Sequence, residues 1–221
     1  MTPRWVVIAK VFLWAACLAP FAWVFVRAAG VAGSLGADPA SEILETFGKT
    51  ALNLLMLTLS ITPLRRWTGI NRLISFRRLL GLFAFSYLVL HFASYALLDL
   101  TVEQWPTLLD DIVERPYITV GFTGFVLLIP LAATSTQGMQ RRLGRNWVKL
   151  HRLVYVVAVL GVVHYWWQVK LDTSEPLIYA VLLALLFAAR LLHYRSVHAK
   201  AAVAAANQRI EPPQAREKAG H

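Results

Sequence analysis

Charge is scarce in this chain. Only 15% of its 221 residues are charged, acidic side chains number 12, and there is a single cysteine. A soluble domain of this size needs many more polar side chains to cover its surface, so the composition excludes one. Cys17 has no second thiol to pair with, which excludes an intrachain disulfide. There is no Cys/His cluster for zinc, no glycine-rich phosphate loop and no nucleophile elbow. No internal repeat is apparent.

What fills the chain instead is apolar residue after apolar residue: 57% of it is hydrophobic, and the mean hydropathy is +0.54. Runs of about 20 such residues cross a hydrocarbon layer of ~30 Å as helices. Six are readable, at Trp5–Val26, Glu45–Leu64, Leu79–Leu98, Tyr117–Ala133, Val148–Val169 and Pro176–Leu192. The expected fold class is therefore an all-α polytopic membrane protein, a six-helix transmembrane bundle over residues 1–199 with a polar tail at 200–221. Ala15, Ala16 and Cys17 hint at lipoprotein processing, but bulky Trp14 and the apolar residues continuing past Cys17 favour a retained first span. In the second span, Glu45 and Lys49 sit near the start, where they can reach the interface by snorkelling.

The net charge of +10 is unevenly placed. Arg65, Arg66, Arg72, Arg77 and Arg78 lie between spans two and three. Arg141, Arg142, Arg145 and Lys149 lie between four and five, and further basic residues follow span six. The alternate connections hold Asp38 and Glu42, then Asp99, Glu103, Asp110, Asp111 and Glu114, then Asp172 and Glu175. Basic loops stay on the cytoplasmic side, so both termini are expected there. The basic excess encodes orientation, and no nucleic-acid partner is expected.

Histidine is costly within a bilayer unless it has a partner or a ligand role. His91 falls in span three, and His151 and His164 fall in span five. Counting from the basic ends, His91 lies ~20 Å and His164 ~22 Å into their spans at 1.5 Å per residue. The two spans run in the same direction, so both imidazoles reach one level. Imidazole is a standard axial ligand of haem iron, and a haem clamped by His91 and His164 follows from the spacing. His151, a further candidate ligand of haem iron, lies ~20 Å nearer the cytoplasm, a separation that suits a two-step electron path, but about 140° around an ideal straight helix. At its level span three offers Arg77 and Arg78, which cannot ligate iron but can pair with a propionate, a flavin phosphate or a lipid phosphate. Gly121, Gly124 and Gly161 permit close approach of a helix or of a haem face.

Four stretches carry a family resemblance: ITPLRRW after span two, RRLLGLFAFSYLVLHFASYALLD around His91, PYITVGFTGFVLLIPLAATS in span four, and LGRNWVKLHRLVYVVAVLGVVHYWWQVKLD in span five. Together they resemble the MsrQ (YedZ) family, haem-binding membrane subunits of a bacterial protein-methionine-sulfoxide reductase system within the ferric-reductase-like group. The resemblance implies a b-type haem and an associated FMN, with His91, His151 and His164 on the family's motif histidines. It implies electrons from the quinone pool or a flavin reductase, delivered to a periplasmic molybdopterin reductase (MsrP-like) as the heterodimer partner, and a bacterial inner-membrane location. The chain itself would be an electron-transfer subunit, with catalytic reduction in the partner. The competing class is a small transporter or a structural anchor without a redox cofactor. Transporters usually show repeats, interrupted helices and mid-depth charges, which are not apparent here.

Overall fold

The computed structural model describes residues 3–99, 108–169 and 172–210. Among them there is no strand. The helices are α1 (Arg4–Ala28), α2 (Pro39–Thr68), α3 (Ile74–Ser94), α4 (Leu108–Glu114), α5 (Pro116–Ala133), α6 (Gln137–Leu143), α7 (Arg145–His151), α8 (Leu153–Gln168) and α9 (Ser174–Ile210). A 3₁₀ turn at Asn71–Leu73 precedes α3, and a π-turn at Tyr95–Asp99 follows it.

All-α architecture matches the sequence expectation, and each expected span falls on a helix. The ends follow local chemistry. α2 starts at Pro39, a residue whose fixed φ suits the first helical position, and the Asp38 carboxylate caps it by accepting from the Ser41 amide at 3.1 Å. It stops at Gly69, whose φ of 72° is left-handed. α5 likewise starts on a proline, Pro116. Glu103 of the expected acidic connection, and the tail beyond residue 210, lie outside the described residues.

One expectation needs correcting. The fifth span is not one straight helix. A turn at Arg152 separates α7 from α8, and the hydrogen bonds across it tighten: the Arg152 amide donates to the Lys149 carbonyl and the Tyr155 amide to the Arg152 carbonyl. Three-residue closures wind the chain faster than α-helix, so the ideal-helix angle between His151 and His164 does not apply.

By length and composition, five described helices can cross a membrane: α1, the segment Asn71–Leu98 containing α3, α5, the segment Arg145–Gln168 containing α7 and α8, and α9. Their outward faces are apolar; Phe12 on α1 is 72% and Leu185 on α9 62% exposed, as side chains meant for lipid are. α2 has the length, 30 residues, but is less apolar and lies deeper in the bundle. Phe47, Leu54, Leu55, Met56 and Leu59 are all buried, Leu59 completely.

The described residues form two compact units, one ending at Leu183 and the other starting at Ala184. In the first, α2 packs along α3 and α5 along α8 more extensively than any other pairs. α1 is pinned by Tyr87 of α3. That hydroxyl donates to the Cys17 carbonyl at 2.6 Å and accepts from the Phe21 amide at 3.1 Å, so it sits inside the α1 ladder next to Pro20.

Candidate functional site

Between α2, α3, α5 and α8 lies a cavity of about 410 Å³, within the range of small-molecule and cofactor sites. Its wall nearer the arginine-bearing ends is apolar, formed by Leu55, Ala84, Leu128 and Val157. Phe92, Phe122 and Phe125 cluster on one side, with ring centres 5.2–6.3 Å apart.

His91 and His164 both line this cavity, and their ring centres stand 6.2 Å apart with planes crossed at 80°. Matched depth in the sequence thus becomes direct apposition in space. The Nδ1–H of His91 donates to the Leu44 carbonyl at 2.8 Å, and that of His164 to the Tyr117 carbonyl at 2.7 Å. A carbonyl can only accept, so each Nδ1 carries the proton and each Nε2 keeps its lone pair. Ligating histidines are commonly oriented in this way, by a hydrogen bond from the other ring nitrogen to a backbone carbonyl. Two imidazoles gripping one first-row metal from opposite sides, each nitrogen ~2 Å from it, hold their centres about 6 Å apart. The separation found here would let both rings hold one iron, so the donor set fits a haem.

Glycine makes the arrangement possible. A Cβ on Gly48 would lie 2.8 Å from His91 Nδ1, and one on Gly121 would lie 2.7 Å from His164 Nδ1. In both cases the glycine follows the carbonyl residue by one helical turn, and the histidine lies 47 residues after that carbonyl. Bare backbone lets the ring settle on the helix and reach its carbonyl. The same device therefore occurs twice, once in the α2–α3 pair and once in the α5–α8 pair. Of the glycines singled out in the sequence, Gly121 serves the histidine directly. Gly124 and Gly161 give ordinary contacts, 3.6 Å to Leu160 Cβ and 3.4 Å to Leu52 Cδ1. Gly48 was missed. A glycine one turn into a polar-flanked span was its only signal.

The end of the cavity nearer the acidic connections is polar, with Ser41, Glu45, Lys49, Tyr165 and Gln168 on its wall. Lys49 Nζ lies 2.6 Å from Glu45 and 2.6 Å from Glu175, at the start of α9. Tyr165 donates its hydroxyl to the same Glu175 carboxylate. Lys49 is thus more than a snorkelling residue: it links two helices across the mouth.

His151, Arg77 and Arg78 do not line this cavity. The Thr134 hydroxyl donates to the Pro130 carbonyl at 2.6 Å, which leaves its oxygen to accept from His151 Nε2 at 3.1 Å. The His151 ring stacks on Trp147 at 4.0 Å, and the Trp147 indole donates to the Thr134 carbonyl. Half-buried Arg77 lies within electrostatic reach of His151, whereas Arg78 is exposed. The structure therefore brings His91 and His164 together and gathers His151 with Arg77 elsewhere.

Residues 47–162 match the family described as ferric reductase like transmembrane component. The chain is 47% identical, over 95% of both chains, to the protein-methionine-sulfoxide reductase heme-binding subunit MsrQ of Xanthomonas oryzae pv. oryzae (strain MAFF 311018). It is 52% identical to the subunit of the same description from Xanthomonas campestris pv. campestris (strain 8004), over 82% of this chain and 84% of that one. With the one from Xanthomonas euvesicatoria pv. vesicatoria (strain 85-10) it shares 50% identity over the same fractions.

Proposed function

This chain belongs to the MsrQ family of ferric reductase like transmembrane proteins, and from that premise we propose that it is a membrane electron-transfer subunit holding a b-type haem between His91 and His164. The observation that carries the reading is the 6.2 Å apposition of two imidazoles whose Nδ1 protons are both tied to backbone carbonyls.

Haem, when bound, supplies a one-electron ferric/ferrous couple. The rest falls to the polypeptide. Leu44 and Tyr117 fix the tautomers, Gly48 and Gly121 set how far each ring stands from its helix, and the apolar wall keeps water from the metal's surroundings. Since α2 packs along α3 and supplies half of the site, it is the sixth span of the bundle in this reading. The alternating loop charges orient the acidic connections, and with them the polar end of the cavity, toward the periplasm of a bacterial inner membrane.

Electrons leave on that side to a periplasmic molybdopterin methionine-sulfoxide reductase, where catalytic reduction takes place, and they come from the quinone pool or a flavin reductase. The description of the relatives as reductase subunits supports such a partner. FMN, implied by the family resemblance, would meet its phosphate partners at Arg77 and Arg78, near His151 and apart from the cavity.

Visible spectra of the purified chain, oxidised and then reduced with dithionite, test the reading. Sharp low-spin haem bands are expected. They should be lost in His91→Ala and in His164→Ala and kept in His193→Ala. No haem bands after haem-replete expression would overturn it. Co-purification with a periplasmic molybdoenzyme is the expected partner result; isolation solely with a cytoplasmic oxidase domain would contradict it.

A further inference from the structure

We propose that Lys49 is the cation that pairs with a propionate of the haem, held ready at the cavity mouth by Glu175. The inference rests on the haem reading above and adds the residue that orients the macrocycle.

Haem is an apolar disc with two carboxylates on one edge. An apolar cavity that accepts it needs one polar edge where those carboxylates can be satisfied, because an unpaired charge in a poorly solvated site is expensive. Here the polar lining gathers at the end near the acidic connections, and Lys49 is the cation on the described wall. It follows Gly48 directly in the sequence, and both line the cavity together with His91.

Lys49 is better ordered than a lysine free in water. Its side chain is only 30% exposed, its ammonium meets both Glu45 and Glu175, and it lies 5.9 Å above the Tyr165 ring. Tyr165 ties Glu175 down in turn.

Two glutamates around one lysine already leave excess negative charge, so an incoming propionate must displace one of them. Glu45 is the weaker holder. Its pair with Lys49 is an i,i+4 contact on one helix, with no second partner for the carboxylate among the described residues, the kind that contributes little. Glu175, anchored by Tyr165 and arriving from another helix, stays. Lys49 thus exchanges Glu45 for the propionate, which fixes which edge of the haem faces the polar end.

The test uses the full chain produced without haem, in detergent, titrated with haem and with haem dimethyl ester, whose propionates carry no charge. Wild-type protein should bind haem more tightly than the ester. Lys49→Gln should weaken haem binding on the order of tenfold and leave ester binding unchanged, and Lys49→Arg, which keeps the charge, should restore haem binding. Equal wild-type affinity for haem and ester overturns the proposal without any variant, and so does a Lys49→Gln loss of equal size for both. If wild type takes up neither with a low-spin spectrum, it is the haem reading that fails. If it takes up both with that spectrum but without preference, only the Lys49 assignment does.

Discussion

A methyl group on Gly121 would stand 2.7 Å from His164 Nδ1, closer than real side-chain carbons approach a ring. The histidine is thus placed by something its neighbour lacks. Gly48 does the same for His91 at 2.8 Å.

Gly48→Ala and Gly121→Ala should each push the ring off its carbonyl and abolish low-spin haem binding. The clash costs about 1–3 kcal/mol, but alanine in mid-helix recovers up to about 1 kcal/mol. Thermal stability of the haem-free protein should therefore change modestly while haem content collapses. Gly81→Ala is the control, since its Cβ would meet only Thr58 Cγ2 at 3.8 Å. Haem-to-protein ratios for the three variants check this; full occupancy in Gly121→Ala would contradict it.

Tyr87→Phe should loosen α1. The change removes a hydroxyl that both donates to Cys17 and accepts from Phe21 within the α1 ladder. A loss of about 1–3 kcal/mol is expected, read as a lower melting temperature in detergent. Haem spectra should stay intact, because Tyr87 does not line the cavity.

Asp38 caps α2 from outside the spans. Hydrogen bonds from Ser41, side chain and then backbone, hold its carboxyl below the ordinary 3.8. A depressed folded-state value means the contribution is present above that ordinary value and is lost as pH falls through the lowered one. Hydrogen exchange at the Ser41 amide should therefore gain protection from the cap at pH 5 and lose it under more acidic conditions, after correction for intrinsic rates. Asp38→Asn, which keeps an acceptor oxygen but cannot titrate, should remove that pH dependence.

Much of the site was legible because depth can be counted. A rise of 1.5 Å per residue in parallel spans puts His91 and His164 at one level, and the rings meet there. What sequence could not show is written in backbone. The Leu44 and Tyr117 carbonyls have no residue signature, since any amino acid supplies one. For the same reason the duplicated arrangement escapes a search for repeats: glycine and histidine are all that the two copies must share. α4 and α6 are seven residues each and rich in charge, so no apolar run announces them. The turn at Arg152 is hidden because neither proline nor glycine marks it. Lys49 looked like an interfacial cation since its second partner, Glu175, is distant in sequence.

The most direct test of shared ligation is the low-temperature electron paramagnetic resonance spectrum of the oxidised, haem-loaded full chain. Imidazole planes crossed at 80° predict the strongly axial low-spin ferric signal of crossed ligands, lost in His91→Ala and in His164→Ala alike. A low-spin signal unchanged in both variants would contradict the account.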